Sequence, residues 1–376
     1  MTEKATRIAD VVILGGGVIG ASIAHHLAQK DVGKILLIDR AGDHASTARA
    51  TGGFRAQFGS AVNVRLSMLA REKLLRFEEE TGVDPGFAQH GYLFLARTPQ
   101  TLDALREAQT IQHESGASES RMIDAGEVHA INPAIDDDAI LGAAFSPLDG
   151  FIKPLEILRG YCTSAVRAGV EVVQCEERGL RTHAGKITTV ETSDGDIEAG
   201  IVINAKGAWA GAPVVPVRRQ VATTVPTDVL PSNMPMTIWA DDGFHLRVRD
   251  GRVLLLQPHE VAPGFDDAFD DAWLPSVVKL AHERVPCLRD VPIDRERCWA
   301  GLYEISPDRH ALLGQAPGID NLYLAIGSSG HGVMHSPALG QLLAELIVDG
   351  KTSIDIHALR PSRFDEGDPV RGSELL

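Results

Sequence analysis

The sequence predicts an α/β protein in which a Rossmann-type domain, with a parallel sheet and a GxGxxG motif, is interleaved with a smaller α+β domain built on a mainly antiparallel sheet. The first observation is an aliphatic run at 11–14, which leads into the glycines of the motif and then into a helical pattern over 18–29. The second is another aliphatic run at 35–38, which completes a strand–helix–strand unit. Parallel strands that are buried on both faces are expected to be unbroken aliphatic runs, as these two are.

Both kinds of segment recur along the 376 residues, a length that typically corresponds to about two domains. The nucleotide-domain pattern returns at 151–209, and 322–326 forms another aliphatic strand. In the second kind of segment, the runs 246–248 and 253–256 flank a hairpin-type Asp-Gly turn. The sequence therefore assigns residues 1–84, 150–211 and 295–365 to the first domain. Residues 85–149 and 212–294 are assigned to the second domain, and residues 366–376 to a polar tail.

The charge balance limits the classes of partner. The chain has 36 basic and 51 acidic residues, a net charge of -15. A surface of that charge repels phosphate backbones and anionic lipids, so neither nucleic acid nor a membrane surface is expected as a partner. The four cysteines form no CxxC pair and have no zinc-like spacing with histidines, so no metal site is expected. The charged N-terminus lacks the apolar core of a secretory signal, and no apolar stretch is long enough to span a membrane; a cytoplasmic location is expected.

The glycine motif predicts a dinucleotide site. Gly15 suits the tight turn after the strand, Gly17 leaves room for a pyrophosphate, and Gly20 lets the helix pack closely on the strand. The helix N-terminus then offers unpaired N–H groups and a partial positive charge to the phosphates. Asp39, at the end of the second strand, can accept hydrogen bonds from both ribose hydroxyls.

Four segments resemble the FAD-dependent D-amino-acid oxidase and sarcosine oxidase group. They are GGGVIG with Asp39 and Arg40, STARATGGFR at 46–55, VINAKGAW at 202–209 and GSSGHGVM at 327–334. With WAGLY at 299–303 and SPD at 306–308, the resemblance covers nearly the whole chain in order. It is greatest with the beta subunits of sarcosine oxidases and of proline dehydrogenases.

The resemblance implies that the first domain binds FAD and the second binds a substrate. The glycine run at 327–332 would present backbone N–H groups to the pyrimidine edge of the flavin, where negative charge gathers on reduction. Gly301 stands where relatives with a covalent flavin have a cysteine, so the FAD is expected to be non-covalent. The residues expected to hold FAD are Gly15, Gly17, Val18, Ile19, Gly20, Asp39, Arg40, Ser46, Thr47, Arg49, Ala50, Thr51, Gly52, Gly53, Ala205, Gly207, Trp209, Gly301, Gly327, Gly330, His331, Gly332, Val333 and Met334.

The expected chemistry is hydride transfer from the carbon beside the nitrogen of a small secondary or N-methylated amino acid, such as sarcosine or proline, to flavin N5. The chain departs from its relatives at two carboxylate anchors, because Tyr303 and Met334 replace an arginine and a lysine. The remaining candidate anchors are Arg55 and Arg247. Three side chains are candidate hydrogen-bond donors to the substrate: Tyr303, His331 and His245.

The run 253–259, matched to the strand that carries an oxygen-activating lysine in oxidases, contains no lysine. A dehydrogenase is therefore favoured over an oxidase, with O2, a quinone or an electron-transfer protein as acceptor. Other functions stay open: a 2-hydroxy-acid or glycerol-phosphate oxidoreductase that uses a histidine as base, a non-catalytic flavoprotein that serves as an assembly or partner subunit, and an NAD-dependent dehydrogenase. A homo- or hetero-oligomer is also left open.

Overall fold

The computed structural model describes residues 6–40, 42 and 45–371. Its strands build two large sheets and one two-stranded sheet. The strands are β1 (Arg7–Leu14), β2 (Ile35–Asp39), β3 (Gly53–Phe54), β4 (Tyr92–Ala96), β5 (Arg121–Ile123), β6 (Gly142–Ser146), β7 (Gly150–Phe151), β8 (Glu171–Gln174), β9 (Glu177–His183), β10 (Lys186–Thr192), β11 (Gly195–Asn204), β12 (Val215–Thr223), β13 (Met236–Trp239), β14 (His245–Arg249), β15 (Arg252–Leu256), β16 (Trp299–Ile305), β17 (Leu312–Gln315) and β18 (Leu322–Ile326).

The α-helices of the described residues lie between these strands. They are α1 (Val18–Ala28), α2 (Ser46–Arg49), α3 (Ala61–Leu75), α4 (Phe77–Thr81), α5 (Pro99–Glu114), α6 (Ala125–Ile131), α7 (Pro154–Arg167), α8 (Leu274–Arg284) and α9 (Gly332–Asp349). None of the helices in the described part of the chain is both long enough and apolar enough to cross a membrane.

The first sheet has a parallel core in the order β18-β11-β1-β2-β8. Antiparallel β17 extends it beyond β18, and the hairpin β9–β10 is attached to β11. Helix α1 packs against α7 and α9. The carboxyl ends of β1, β2, β11 and β18 meet at one edge of the sheet, which is where ligands of open α/β sheets bind.

The second sheet has the order β16-β12-β15-β14-β13-β4-β6-β5. Its pairings are antiparallel apart from β13 with β4. The predicted fold class, a parallel Rossmann-type sheet combined with a mainly antiparallel one, is therefore confirmed. The division of the chain into domains stays a prediction; β16 lies in the segment 295–365, which we assigned to the first domain, and pairs with β12 of the second sheet.

The predicted Asp-Gly hairpin joins β14 to β15. Asp250 and Gly251 have φ angles of 53° and 69°. Two left-handed residues in a two-residue loop match the right-handed twist of the flanking strands, and Asp-Gly adopts this conformation at low cost. The turn fixes the register of the hairpin, in which Arg249 lies opposite Arg252.

Candidate active site

One large cavity lies at the carboxyl edge of the parallel sheet, with the second sheet on its other side. Its volume is about 1340 Å³, which exceeds the range of roughly 300–1,000 Å³ typical of small-molecule pockets. The cavity is thus large enough for a dinucleotide together with a small substrate. Most of the residues predicted for the site line it: Gly15, Gly17, Val18, Ile19, Asp39, Arg40, Ser46, Thr47, Arg49, Ala50, Thr51, Gly52, Gly53, Arg55, Ala205, Gly207, Trp209, His245, Gly301, Tyr303, Gly330, His331, Gly332, Val333 and Met334.

The glycines after β1 shape the nucleotide end of the cavity. A Cβ atom on Gly15 would lie 2.4 Å from the carbonyl oxygen of Ala205, and one on Gly20 would lie 1.9 Å from the carbonyl oxygen of Gly15. A Cβ atom on Gly17 would meet only the Thr47 hydroxyl, at 3.5 Å. Gly17 is also the N-cap of α1 and, having no side chain, does not cap the helix itself. The first two positions therefore need glycine for packing, whereas Gly17 leaves the helix N-terminus open to a ligand.

The loop between β18 and α9 forms another wall. Two of its backbone N–H groups are held by Glu304 on β16: the Ser328 N–H donates to Glu304 Oε1 at 3.1 Å and the Ser329 N–H to the Glu304 carbonyl at 3.1 Å. Burial raises the pKa of Glu304 to about 7. Gly330 has a φ of 96°, and a Cβ atom there would lie 2.3 Å from the ring of Tyr303. The loop is thus fixed in shape by residues of the second sheet.

Arg55 is the cation at the core of the site. Its guanidinium lies 4.0 Å from the ring centre of Phe58 and 5.3 Å from that of Phe94. Burial lowers the pKa of Arg55 to about 10, so the side chain still carries a charge at neutral pH. Its Nη2 donates to Nε2 of His331 at 3.2 Å.

That hydrogen bond also fixes the state of His331. Because a guanidinium can only donate, Nε2 must accept, and the ring is neutral with its proton on Nδ1. Burial, assisted by the charge of Arg55, holds the pKa of His331 well below its usual range. His331 is therefore an acceptor for Arg55 rather than an available base.

Tyr303 and His245 face the same part of the cavity. Tyr303 is 38% exposed, and its exposed face is turned to the cavity. Burial raises the pKa of this phenol, so it stays protonated and can donate a hydrogen bond. His245 donates from Nδ1 to the Gly243 carbonyl at 2.8 Å, and burial lowers its pKa. Neutral His245 consequently has an acceptor nitrogen, Nε2.

Three predicted site residues do not line the cavity: Gly20, Gly327 and Arg247. The first two act through packing, since a Cβ atom on Gly327 would lie 2.8 Å from Leu312. Arg247 is 6% exposed, and its Nη1 donates to the carbonyl oxygens of Thr51 at 2.8 Å and Gly52 at 3.1 Å. Arg247 is therefore corrected from a candidate substrate anchor to a residue that holds the loop before β3.

Several site residues were missed by the sequence analysis. Tyr92, Arg219 and Glu304 line the cavity. Asp149 is fully buried and accepts from the Ala56 N–H at 2.9 Å, next to Arg55. Glu304 could have been noticed because it lies between two quoted motifs, WAGLY and SPD. The others had no comparable signal, since each lies in or near an ordinary strand outside those motifs.

A family model described as "DAO: FAD dependent oxidoreductase" matches residues 10–346. The chain belongs to this family. It is an FAD-dependent oxidoreductase, in agreement with the cofactor and the enzyme class predicted from its motifs.

Relatives and solved structures agree with this assignment. Mitochondrial dimethylglycine dehydrogenase of Rattus norvegicus is 29% identical over 389 residues, which cover 95% of this chain and 45% of that protein. Mitochondrial sarcosine dehydrogenase of Mus musculus is 29% identical over 388 residues, which cover 95% of this chain and 41% of that protein. The chain therefore spans less than half the length of these relatives.

Among solved structures, L-proline dehydrogenase from P. horikoshii is similar with a TM-score of 0.90 and 29% identity, covering 97% of this chain and 100% of that one. Glycine oxidase from Geobacillus kaustophilus is similar with a TM-score of 0.83 and 25% identity, covering 95% and 99%.

The residues around the cavity fit FAD. The N-terminus of α1 suits a pyrophosphate, and the Thr47 hydroxyl, which accepts from the Val18 N–H at 3.2 Å, lies beside it. Asp39 lines the cavity at the end of β2, where it could accept the hydroxyls of the adenosine ribose. No group of three or more His, Cys, Asp or Glu side chains in the described ranges could hold a metal ion.

Attachment of the FAD stays a prediction. Gly301 lines the cavity at the position where relatives with a covalent flavin have a cysteine. Among the described residues the cavity is lined by Cys175, which follows β8 beside the end of β2. Both positions are in keeping with a non-covalent cofactor.

Proposed function

We propose that this oxidoreductase oxidises the C–N bond of a small secondary or N-methylated amino acid, of the sarcosine or proline type. The observation that carries the proposal is the Arg55 guanidinium, which lines the cavity among the rings of Phe58 and Phe94. A desolvated guanidinium is well suited to bind a carboxylate, and an amino acid carries one next to its C–N bond. The names of the relatives, dimethylglycine and sarcosine dehydrogenase, and of the similar L-proline dehydrogenase support this substrate class.

The side chains of the cavity bind and orient this substrate. Arg55 takes the carboxylate, and the protonated hydroxyl of Tyr303 donates a second hydrogen bond. Burial disfavours an ammonium ion, so the site selects the neutral amine. Bound FAD supplies the acceptor for the hydride of the carbon beside the nitrogen. The substrate leaves as an iminium ion, which water hydrolyses to a carbonyl compound and an amine, or as a cyclic imine. This chemistry needs no protein base, only positioning.

Within this function, a dehydrogenase is favoured over an oxidase. Lys206 is the only lysine among the described residues that line the cavity. Its Nζ forms an ion pair with Glu177 at 2.7 Å. This pair lies near the end of β8, on the nucleotide side of the cavity. Lys206 is therefore engaged away from the substrate and is not expected to promote a reaction of the reduced flavin with oxygen. The electrons pass instead to a quinone or an electron-transfer protein.

Anaerobic reduction of the flavin tests the proposal. Sarcosine, dimethylglycine or proline should bleach the oxidised flavin, and Arg55→Met should raise the concentration needed by roughly 10- to 100-fold, the value of a charge-assisted hydrogen bond. Arg65→Met, which removes an exposed arginine of α3, is the matched control. Equal behaviour of the two variants would contradict the anchor role of Arg55, and failure of the whole panel to bleach the flavin would favour a non-catalytic flavoprotein.

A 2-hydroxy-acid oxidoreductase is the second candidate, and His245 is the observation that favours it. Oxidation of an alcohol needs a base for the hydroxyl proton, and His245 has its Nδ1 proton bound to Gly243 and an acceptor Nε2. Lactate and glycerol 3-phosphate therefore belong in the same panel. Reduction by lactate but not by sarcosine, lost in His245→Asn, would replace the amine proposal.

A further inference from the structure

Arg219 on β12 is a second cation in the cavity that the proposed reaction does not use. Strand β12 is antiparallel to β16, with Arg219 opposite Gly301 and Val217 opposite Tyr303. Residues directly opposite each other share a face of the sheet, as do residues two apart along a strand. Arg219 therefore projects from the same face as Gly301 and Tyr303, and all three line the cavity.

The contacts of Arg219 leave its charge without a counter-ion. Its Nη1 donates to the carbonyl oxygens of Arg218 at 3.1 Å and of His259 at 3.4 Å, and its guanidinium lies 5.9 Å from the ring centre of Tyr303. It makes no ion pair with any carboxylate in the described part of the chain. Burial lowers the pKa of Arg219, Tyr303 acts in the opposite direction, and the neighbouring charge of Arg309 again lowers it. A half-buried cation with a like charge nearby is costly unless an anion joins it.

Two acidic residues that line the cavity, Asp308 and Glu304, do not supply that anion. The Asp308 carboxylate is held by two hydrogen bonds of 2.8 Å from the fully buried guanidinium of Arg363. Glu304 accepts from the loop N–H, and burial raises its pKa to about 7, so much of it is neutral at physiological pH. Arg219 is therefore a cation without a paired carboxylate among the described residues, although the whole chain has a net charge of -15.

We propose that Arg219 binds a second carboxylate of the substrate, so that the enzyme acts on secondary amines with two acidic groups, of which iminodiacetate is the simplest. In this binding mode Arg55 takes one carboxylate and Arg219, whose guanidinium lies 5.9 Å from the ring centre of Tyr303, takes the other. The inference rests on the proposed function, because it extends the same substrate by one anion. Arg219 would thus set the preference of the enzyme for dicarboxylic over monocarboxylic substrates, although β12 contains none of the family motifs.

Two thioethers that cannot be oxidised at a C–N bond test the inference by binding alone. Methylthioacetate mimics sarcosine with one carboxylate, and thiodiglycolate mimics iminodiacetate with two. Their dissociation constants are measured from the perturbation of the flavin absorbance in the holoenzyme. Wild type should bind thiodiglycolate more tightly, and Arg219→Met should weaken thiodiglycolate by roughly 10- to 100-fold while changing methylthioacetate by less than about threefold.

The neighbouring Arg218→Met is the matched control, because it removes the same charge from a side chain that is paired with Asp266 at 2.7 Å. Arg219→Lys should restore part of the affinity for thiodiglycolate, since it keeps the charge but not the planar donor pair. Equal affinity of wild type for both thioethers, or equal weakening of both in Arg219→Met, would overturn the inference. If iminodiacetate, sarcosine and proline all fail to reduce the flavin while thiodiglycolate still depends on Arg219, the anion site stands and the proposed function fails.

Discussion

Glu304 carries a prediction about pH at the scale of a single residue. Burial raises its pKa from 4.5 to about 7. Between these values the native protein binds more protons at this site than the unfolded chain does, so the contribution of Glu304 to stability falls as the pH rises. Glu304→Gln keeps an acceptor for the Ser328 N–H without a charge. At pH 8 the variant should have a free energy of unfolding about 1–3 kcal/mol above that of wild type, and the advantage should shrink towards pH 4.5.

Urea unfolding at a series of pH values measures this difference. Glu198→Gln, which changes an exposed glutamate on β11, is the control and should follow wild type at every pH. If Glu304→Gln also ran parallel to wild type from pH 4.5 to pH 8, Glu304 would not be a neutral carboxyl group in the folded protein.

The arginines show what the sequence can and cannot predict about single residues. Arg55 and Arg247 were equal candidates for the substrate anchor, and the structure places only Arg55 on the cavity. The Arg247 side chain instead donates to the carbonyl groups of Thr51 and Gly52, a contact between distant segments that the sequence does not reveal. Arg219 was missed for a related reason. Two consecutive arginines in a strand point to opposite faces, and the sequence does not say which face is buried.

At the scale of elements, the β18–α9 loop is expected to be sensitive to a single methyl group. Gly330→Ala forces a left-handed backbone on alanine and places its Cβ 2.3 Å from the ring of Tyr303. Gly251→Ala is the matched control, because Gly251 also has a positive φ, of 69°, but no atom lies within 4 Å of its Cβ position. Both variants should lose about 1 kcal/mol of stability from backbone strain. Only Gly330→Ala should also shift the flavin absorbance spectrum and weaken FAD binding.

Spectra and FAD titrations of the two purified variants decide this point. A Gly330→Ala protein with wild-type spectrum and affinity would mean that the loop and Tyr303 can move apart without affecting the cofactor, contrary to the close packing described above.

Element boundaries were predicted less well than the elements themselves. Proline is common in the first turn of a helix, which favours a helix start at Pro337, but α9 begins at Gly332. The carbonyl of Val333, which a residue other than proline at 337 would have bonded, accepts instead from the Ser336 hydroxyl at 2.9 Å, so proline is tolerated inside the helix. The apolar residues over 62–80, Leu75 among them, repeat with a helical period that predicts one continuous helix, but the helix is interrupted at Arg76 and Leu75 is 65% exposed. Such breaks depend on tertiary packing, which periodicity does not contain.

At the scale of the whole molecule, side chains of the second sheet bind the backbone of residues 49–52, which form a loop that lines the cavity. The Trp299 indole donates to the Arg49 carbonyl at 2.9 Å, and Arg249 donates to the Ala50 carbonyl at 3.2 Å. Arg247 binds the next two carbonyls and lies 3.5 Å from the ring centre of Phe151. Four successive carbonyl groups of one loop are thus satisfied by donors from the other sheet. Binding of FAD should therefore depend also on Arg247 and Arg249, which do not line the cavity.

Arg247→Met tests this dependence. The variant leaves the buried carbonyls of Thr51 and Gly52 without their donor, at a cost of about 1–3 kcal/mol per group, and the ordered loop is what FAD requires. The dissociation constant for FAD, measured by quenching of flavin fluorescence, should rise by at least about tenfold, and the increase in melting temperature on adding FAD should shrink accordingly. Arg252→Met removes an arginine from the same hairpin that binds Asp294 at 2.7 Å instead, and should retain wild-type affinity. If the two variants bound FAD equally well, the two sheets would be independent in cofactor binding, because the loss of a buried donor pair would then have been absorbed within the second sheet.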